Sequence, residues 1–360
     1  MPFPDTRLTS LFRTESPIVQ APMAGAMDAT LVIGACRGGA LGSLPCAMLT
    51  PDAVRAEVGR IRAATSAPFN LNFFCHTSVP ADPEVMAAWK AKLLPFYREL
   101  GLPEDAESKA PARAPFDESM LAVVEETRPN VVSFHFGLPE PRLLEGVKRA
   151  GAVVLGCATT RSEALWLEER GVDAIIAQGV EAGGHRGTFL PGSISSQPGT
   201  FALVPEVVDS VRVPVIAAGG IADGRGIAAA LALGASGVQI GTAYLKCPES
   251  KIAPAFRALL AEAHADSTVV TNAMTGRPAR GFPNRIVQGI GALVEDAPAF
   301  PHAAAAIAPL RASAEKSGSG AFSPYWAGQG VSLSHELSAE ELTRALGHGA
   351  LARLSALARG

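Results

Sequence analysis

The sequence predicts an α/β protein built as a (β/α)8 barrel, with an additional, mostly helical domain or cap. Three observations carry that prediction. Short β-branched apolar runs recur eight times. Ala/Leu-rich segments of helical length separate them. The runs are continuously apolar rather than alternating, which marks parallel strands covered by helices on both faces. The strand runs lie at residues 17–23, 40–45, 68–74, 130–136, 152–158, 173–178, 213–218 and 237–241. Helical segments are expected at 29–37, 51–65, 84–100, 118–128, 139–150, 162–170, 204–211 and 226–233. Eight such units within residues 1–245 match the usual size of a TIM barrel, roughly 250 residues. A doubly wound open sheet is the structural alternative. Residues 76–116 exceed what a barrel needs. They read as a helical insertion followed by a Pro/Ala/charge-rich linker at 101–115. Residues 246–335 read as a helical cap and substrate region, with helices at 253–265 and 303–316. Residues 336–360 read as a C-terminal helix packed on the barrel.

Composition narrows the function. Of 360 residues, 48% are apolar and 18% charged, enough to build a large core and too apolar for disorder. The net charge of -3 offers no general attraction for a phosphate backbone, so no nucleic-acid partner is expected. The five cysteines include no C-x-x-C pair, which points to a reducing compartment, the cytoplasm. The first twenty residues contain no apolar secretion core. Residues 226–245 carry no charge, yet Gly234, Ser236, Gly237, Gln239 and Gly241 interrupt them. They divide into a helix and a strand, and no membrane partner is expected.

Barrel enzymes place their chemistry at the C-terminal ends of the strands. Polar residues and glycines gather at those ends here. The first strand ends in Gln20-Ala21-Pro22-Met23, and the third carries Asn70 and Asn72. The fourth ends at Ser133 and His135, and the sixth runs into Gln178 and the loop Glu181–Gly187 (EAGGHRG). The seventh ends in Ala218-Gly219-Gly220, and the eighth carries Gln239-Ile240-Gly241-Thr242. Glycine loops after strands seven and eight suit a phosphate, because backbone amides can approach its oxygens. The helix expected at 226–233 would add partial positive charge at its N-terminus. His185, in a glycine loop at a strand end, is a candidate acid or base. Arg186 is a candidate anion holder or loop support. His135 is a candidate substrate contact or a hydrogen-bonded core histidine. Asn72 and Gln178 could bond a heteroaromatic ring or be satisfied polar core residues, and Met23 is equally at home in a core. No metal-ligand spacing, P-loop, G-x-S-x-G or G-x-G-x-x-G motif occurs, so neither a metal nor a Rossmann dinucleotide site is expected.

Taken together, the motifs resemble the nitronate monooxygenase family, formerly 2-nitropropane dioxygenases, and its class I branch in particular. The matching pieces are QAPMAG (20–25), PFNLNFF (68–74), FHFG (134–137), AQGVEAGGHRGTF (177–189), PVIAAGGIADGRG (214–226), GVQIGTAYL (237–245), TGRPARGFPNR (275–285) and WAGQG (326–330). The family often has Ser where this chain has Gly330. The resemblance implies an FMN enzyme that oxidises alkyl nitronates such as propionate 3-nitronate with O2, giving a carbonyl compound and nitrite. By motif, Asn72, Gln178 and Gly183 would contact the flavin, and Ala21, Pro22 and Met23 would line its ring. Gly219, Gly220, Gln239, Ile240, Gly241 and Thr242 would hold the ribityl phosphate end. His185 would stand over the ring beside the substrate. Two alternatives remain: an FMN- and NAD(P)H-dependent enoyl reductase on the same fold, and a non-catalytic FMN-binding protein.

Overall fold

A computed structural model describes residues 2–106 and 113–359. Its centre is a closed barrel of eight parallel strands: β1 Ile18–Gln20, β2 Gly42–Pro45, β3 Phe69–Phe74, β4 Val131–His135, β5 Val153–Ala158, β6 Ala174–Gln178, β7 Val215–Ala218 and β8 Gly237–Ile240. Neighbours follow chain order from β2 to β8, and β8 pairs with β1 in the register Ile18↔Val238 and Gln20↔Ile240. A parallel bridge between Val19 and Leu41, one residue before β2, closes the ring. Gln20 N–H donates to the Leu41 carbonyl at 2.9 Å, and Leu41 N–H to that of Ile18 at 2.9 Å. Closure rules out the doubly wound open sheet and leaves the barrel without edges.

The strands are buried on both faces because helices cover the outside and side chains fill the inside. At the N-terminal end of the barrel, Val19, Leu41, Val131, Leu155, Ala174 and Ile216 form an apolar floor. A helix at Arg7–Phe12, not anticipated from the sequence, seals that floor with Leu8 and Phe12. Above the floor lies a polar layer. Asn70 Nδ2 donates to Ser43 Oγ at 3.0 Å and Ser133 Oγ at 2.8 Å, and Gln20 Oε1 accepts from Ser43 N–H at 3.0 Å. The site opens above this layer.

Two helices start earlier than expected, one against a distant partner and one behind a local cap. The helix expected at 204–211 begins at Thr200, whose amide donates to the Glu181 carboxylate. That expected at 226–233 runs Gly224–Ala232, capped by Asp223. The uncharged stretch 226–245 divides among this helix, β8 and a short helix at Thr242–Leu245. Among the described residues no helix is long and apolar enough to cross a membrane.

The insertion packs with the late segment. Helix Pro83–Glu99 supplies Trp89, Leu93, Phe96 and Tyr97 to a second core shared with Ile307 and Leu310 of helix Ala303–Lys316. Trp89 Nε1 donates to the Ala303 carbonyl at 3.2 Å, and Tyr97 OH to that of Ala306 at 2.6 Å. Of the linker expected at 101–115, residues 107–112 lie outside the described residues. The late segment also contributes strands: Val269–Thr271 and Ala279–Gly281 join Gly184–His185 in an antiparallel sheet. The C-terminal helix Ala339–Leu357 lies against helices Ala29–Arg37 and Gly224–Ala232, with Gly38 beneath Thr343 and Gly224 against Gly349.

Phe12→Ala is expected to lower stability by about 3–5 kcal/mol, because a fully packed ring leaves a cavity in the floor. Urea unfolding should show a lower midpoint at unchanged slope.

Candidate active site

Side chains and loops from the strand ends converge on a cavity of about 710 Å³ at the C-terminal mouth. That volume lies in the range of small-molecule and cofactor sites. Of the residues anticipated from the sequence, Ala21, Pro22, Met23, Asn72, His135, Gln178, Gly183, His185, Gly219, Gly220, Gln239, Gly241 and Thr242 all line it. Ile240 does not. Its side chain is wholly buried in the outer core, and its carbonyl accepts from Ala21 N–H at 2.8 Å. Strand alternation explains this: Gln239 faces inward, so Ile240 faces the helices.

The loop after β6 is built around a buried cation. Arg186, 1% exposed, donates from Nε to Gln197 Oε1 at 2.7 Å. Its Nη1 and Nη2 donate to the carbonyls of Gly179 (2.6 Å) and Gln178 (2.5 Å). Burial lowers its pKa to about 10, so it stays charged at neutral pH. Of the two roles open to Arg186, the geometry selects loop support, since its guanidinium is spent on the chain. Gln178 clamps the same loop, with Nε2 donating to the His185 carbonyl at 3.1 Å and Oε1 accepting from Gly187 N–H at 2.8 Å. His135 Nε2 lies 3.2 Å from that carbonyl. Asn72 spends Nδ2 on Ser133 Oγ at 2.9 Å and the Ser133 carbonyl at 3.3 Å.

His185 sits within an aromatic cage, its ring centroid 5.4 Å from that of Phe300 and 5.5 Å from that of Trp326. Nε2 lies 2.9 Å from Thr275 Oγ1. Burial, then Arg113, His135, Arg277 and His76, hold its pKa well below 6.5, so the imidazole is neutral at physiological pH. It can bond or accept a proton but brings no positive charge. The cations nearby are Arg113, which lines the cavity, and Arg277, whose guanidinium lies 4.2 Å over the Phe136 ring.

The far floor is glycine. Gly219 and Gly220 have φ of 114° and 71°, which side-chain-bearing residues rarely adopt. Among the described residues, the amides of Gly219, Gly220 and Gly241 have no backbone acceptor. Among the described residues Gln239 Oε1 is likewise buried without a hydrogen-bond partner. These unmet groups fit a ligand rich in hydrogen-bonding atoms. The helix N-terminus expected to share this task does not, because Asp223 already accepts from its first amides, those of Arg225 and Gly226. Segment 326–330 closes over the floor. Gly328 N–H donates to Thr242 Oγ1 at 2.9 Å, and Gln329 N–H to the Glu181 carbonyl at 2.9 Å. A Cβ on Gly183 would fall 2.5 Å from Gly328 N, and one on Gly330 3.1 Å from the Gly220 oxygen. Glycines here let two backbones touch.

The family described as Nitronate monooxygenase matches residues 5–349. A nitronate monooxygenase from Paraburkholderia phytofirmans is 42% identical over 342 residues, covering 94% of this chain and 93% of that protein. The chain belongs to the nitronate monooxygenase family. A second relative of that name, from Pseudomonas aeruginosa, is also 42% identical, covering 94% of this chain and 97% of its own. Among solved structures, a nitroalkane oxidase from Streptomyces ansochromogenes matches with a TM-score of 0.88 and 36% identity, covering 98% and 99% of the two chains. FabK from Thermotoga maritima matches with a TM-score of 0.75 and 28% identity, covering 98% of each. Nitronate monooxygenases are oxidoreductases, and this chain carries the family's motifs around its cavity.

Sequence reasoning missed several residues of this site. Thr275 and Arg277 lie in the TGRPARG motif, but only folding brings them to His185. Arg113 lies in the stretch read as a linker. Glu163, wholly buried, anchors the loop after His185 by accepting from the amides of Phe189 (2.7 Å) and Leu190 (3.1 Å).

Burial also holds the His135 pKa at about 4, against 6.5 for a free imidazole. The unfolded chain therefore binds this proton more readily than the folded one. The associated stability is complete above about pH 6.5 and is lost as pH falls toward 4. From this residue alone, stability should drop by about 1–2 kcal/mol between pH 7 and pH 5. His135→Gln should flatten that part of a pH series of urea midpoints.

Proposed function

We propose that the protein holds FMN across the barrel mouth and oxidises alkyl nitronates with O2 to a carbonyl compound and nitrite. One observation supports this most: a neutral imidazole and the Arg113 guanidinium share a cavity with a floor where, among the described residues, glycine amides lack a backbone acceptor and the Gln239 amide oxygen lacks a partner. When bound, FMN supplies the electron-accepting chemistry that a nitronate and O2 require. The amides of Gly219, Gly220 and Gly241, with Thr242, would hold the phosphate end, and Gln239 the adjoining polar atoms. Asn72 Oδ1 and the free Gln178 Nε2–H would bond the ring, with Ala21, Pro22, Met23 and Gly183 along its faces.

The remaining chemistry falls to side chains. A nitronate is a delocalised anion, and Arg113 and Arg277 make its end of the cavity electropositive. Trp326 and Phe74 shield it from water. His185 would hydrogen-bond the bound anion or, with a neutral nitroalkane, remove the α-proton. His135, bonded to the His185 backbone, would act by positioning that residue. Holding a neutral nitroalkane requires nothing more than this pocket, but ionising it requires His185.

The test is the oxygen-electrode assay of the yellow holoprotein with propionate 3-nitronate, with nitrite scored alongside. Oxygen uptake with nitrite release is the expected result. Anaerobic bleaching of the flavin by NADH, without response to nitronates, would instead assign an enoyl reductase-like activity. A yellow protein inert to both would be a flavin-binding protein. His185→Asn is expected to retain FMN and to lose turnover of neutral nitroalkanes by about 100-fold or more. Unchanged turnover would remove His185 from the chemistry.

A further inference from the structure

The two ring nitrogens of His185 meet different surroundings. Nε2 lies 2.9 Å from the hydroxyl of Thr275, which is 2% exposed and does not line the cavity. Among the described residues Nδ1 has no hydrogen-bond partner, it is not among the buried unpartnered atoms, and His185 lines the cavity. The Thr275 hydroxyl lies 3.4 Å from the Arg277 carbonyl, to which it donates. A hydroxyl has one proton to give and lone pairs to receive with. With its proton directed at Arg277, Thr275 Oγ1 is left to accept from Nε2–H.

We propose that Thr275 is a positioning residue that holds His185 as the Nε2–H tautomer, leaving the Nδ1 lone pair toward the substrate. The surrounding chain is built to keep this pair together. His185 belongs to a short strand paired with Ala279, and Arg186 N–H donates to the Pro278 carbonyl at 2.8 Å. The turn carrying Thr275 is tied back by Gly276 N–H to the Asn272 carbonyl at 2.8 Å. Gly276 has φ of 88°, and a Cβ there would fall 2.0 Å from the Pro298 oxygen, so this close-packed turn admits only glycine at that position. On the other side, Gln178 and His135 hold the His185 carbonyl. The relay ends on a neutral carbonyl, not a carboxylate. It therefore orients the imidazole without making it more basic, in keeping with the lowered pKa. The consequence for proton abstraction rests on the reading of His185 as the group beside the substrate.

The test compares flavin-loaded wild type, Thr275→Ser and Thr275→Val. Ring-nitrogen chemical shifts of isotope-labelled histidine report the tautomer, with His185→Asn assigning the signal. The wild type and Thr275→Ser should show Nε2–H. Thr275→Val should show Nδ1–H or a mixture, and kcat/KM for nitroethane should fall about 10- to 100-fold, with Thr275→Ser restoring most of it. An Nδ1–H signal in the wild type would overturn the proposal. So would a folded Thr275→Val that keeps both the Nε2–H signal and the turnover. If no variant oxidises any nitronate or nitroalkane, the proposed function fails while the chemical shifts still decide the tautomer.

Discussion

The site depends on one buried cation. Arg186 is sealed from water and donates to the carbonyls that end β6 and to Gln197. Stripping a guanidinium of water is costly, and these charge-assisted bonds offset that cost only while the loop keeps this shape. The loop is thereby drawn back onto its own strand, and its neighbour His185 is turned toward the mouth. Remove the cation and three backbone or side-chain acceptors each lose a charged donor, the Gly179 carbonyl keeping only the Ala182 amide. The arrangement differs from an anion-binding arginine, which must keep a donor free.

Electrostatics around His185 follow from the same economy of charge. Burial and two arginines keep His185 neutral, and burial holds His135 and His76 at about 4. Uncharged imidazoles beside guanidiniums form a pocket that gains by receiving an anion. An acidic residue at this point would cancel that gain. The acids near the site have partners of their own: Glu181 accepts from Thr200, Glu163 from the loop amides, and Glu315, which lines the cavity, from Arg311 and Ser323.

Backbone proximity forms the other half of the design. Segment 326–330 reaches the floor of the mouth because Gly183, Gly328 and Gly330 carry no side chain in its way. The same segment bonds Thr242 and Glu181, so the late part of the chain completes a site begun by the barrel. The insertion and the late segment share one apolar core, which ties the far wall of the cavity to residues distant in sequence.

By itself the sequence determined the barrel, since eight continuously apolar runs between helical segments have few ways to bury both faces. It also located most of the mouth, because strand ends and their glycines are local features. Period-two alternation was available to exclude Ile240, which follows the inward Gln239. Tertiary structure alone decided what Arg186 holds, what meets the first amide of the helix at Thr200, and which group meets His185. Thr275 stands 90 positions along the chain from that histidine, and the three-stranded sheet that brings them together joins segments with no common local pattern. Hydrogen bonds between such distant residues are set by packing, whose geometry emerges only when the whole chain is folded.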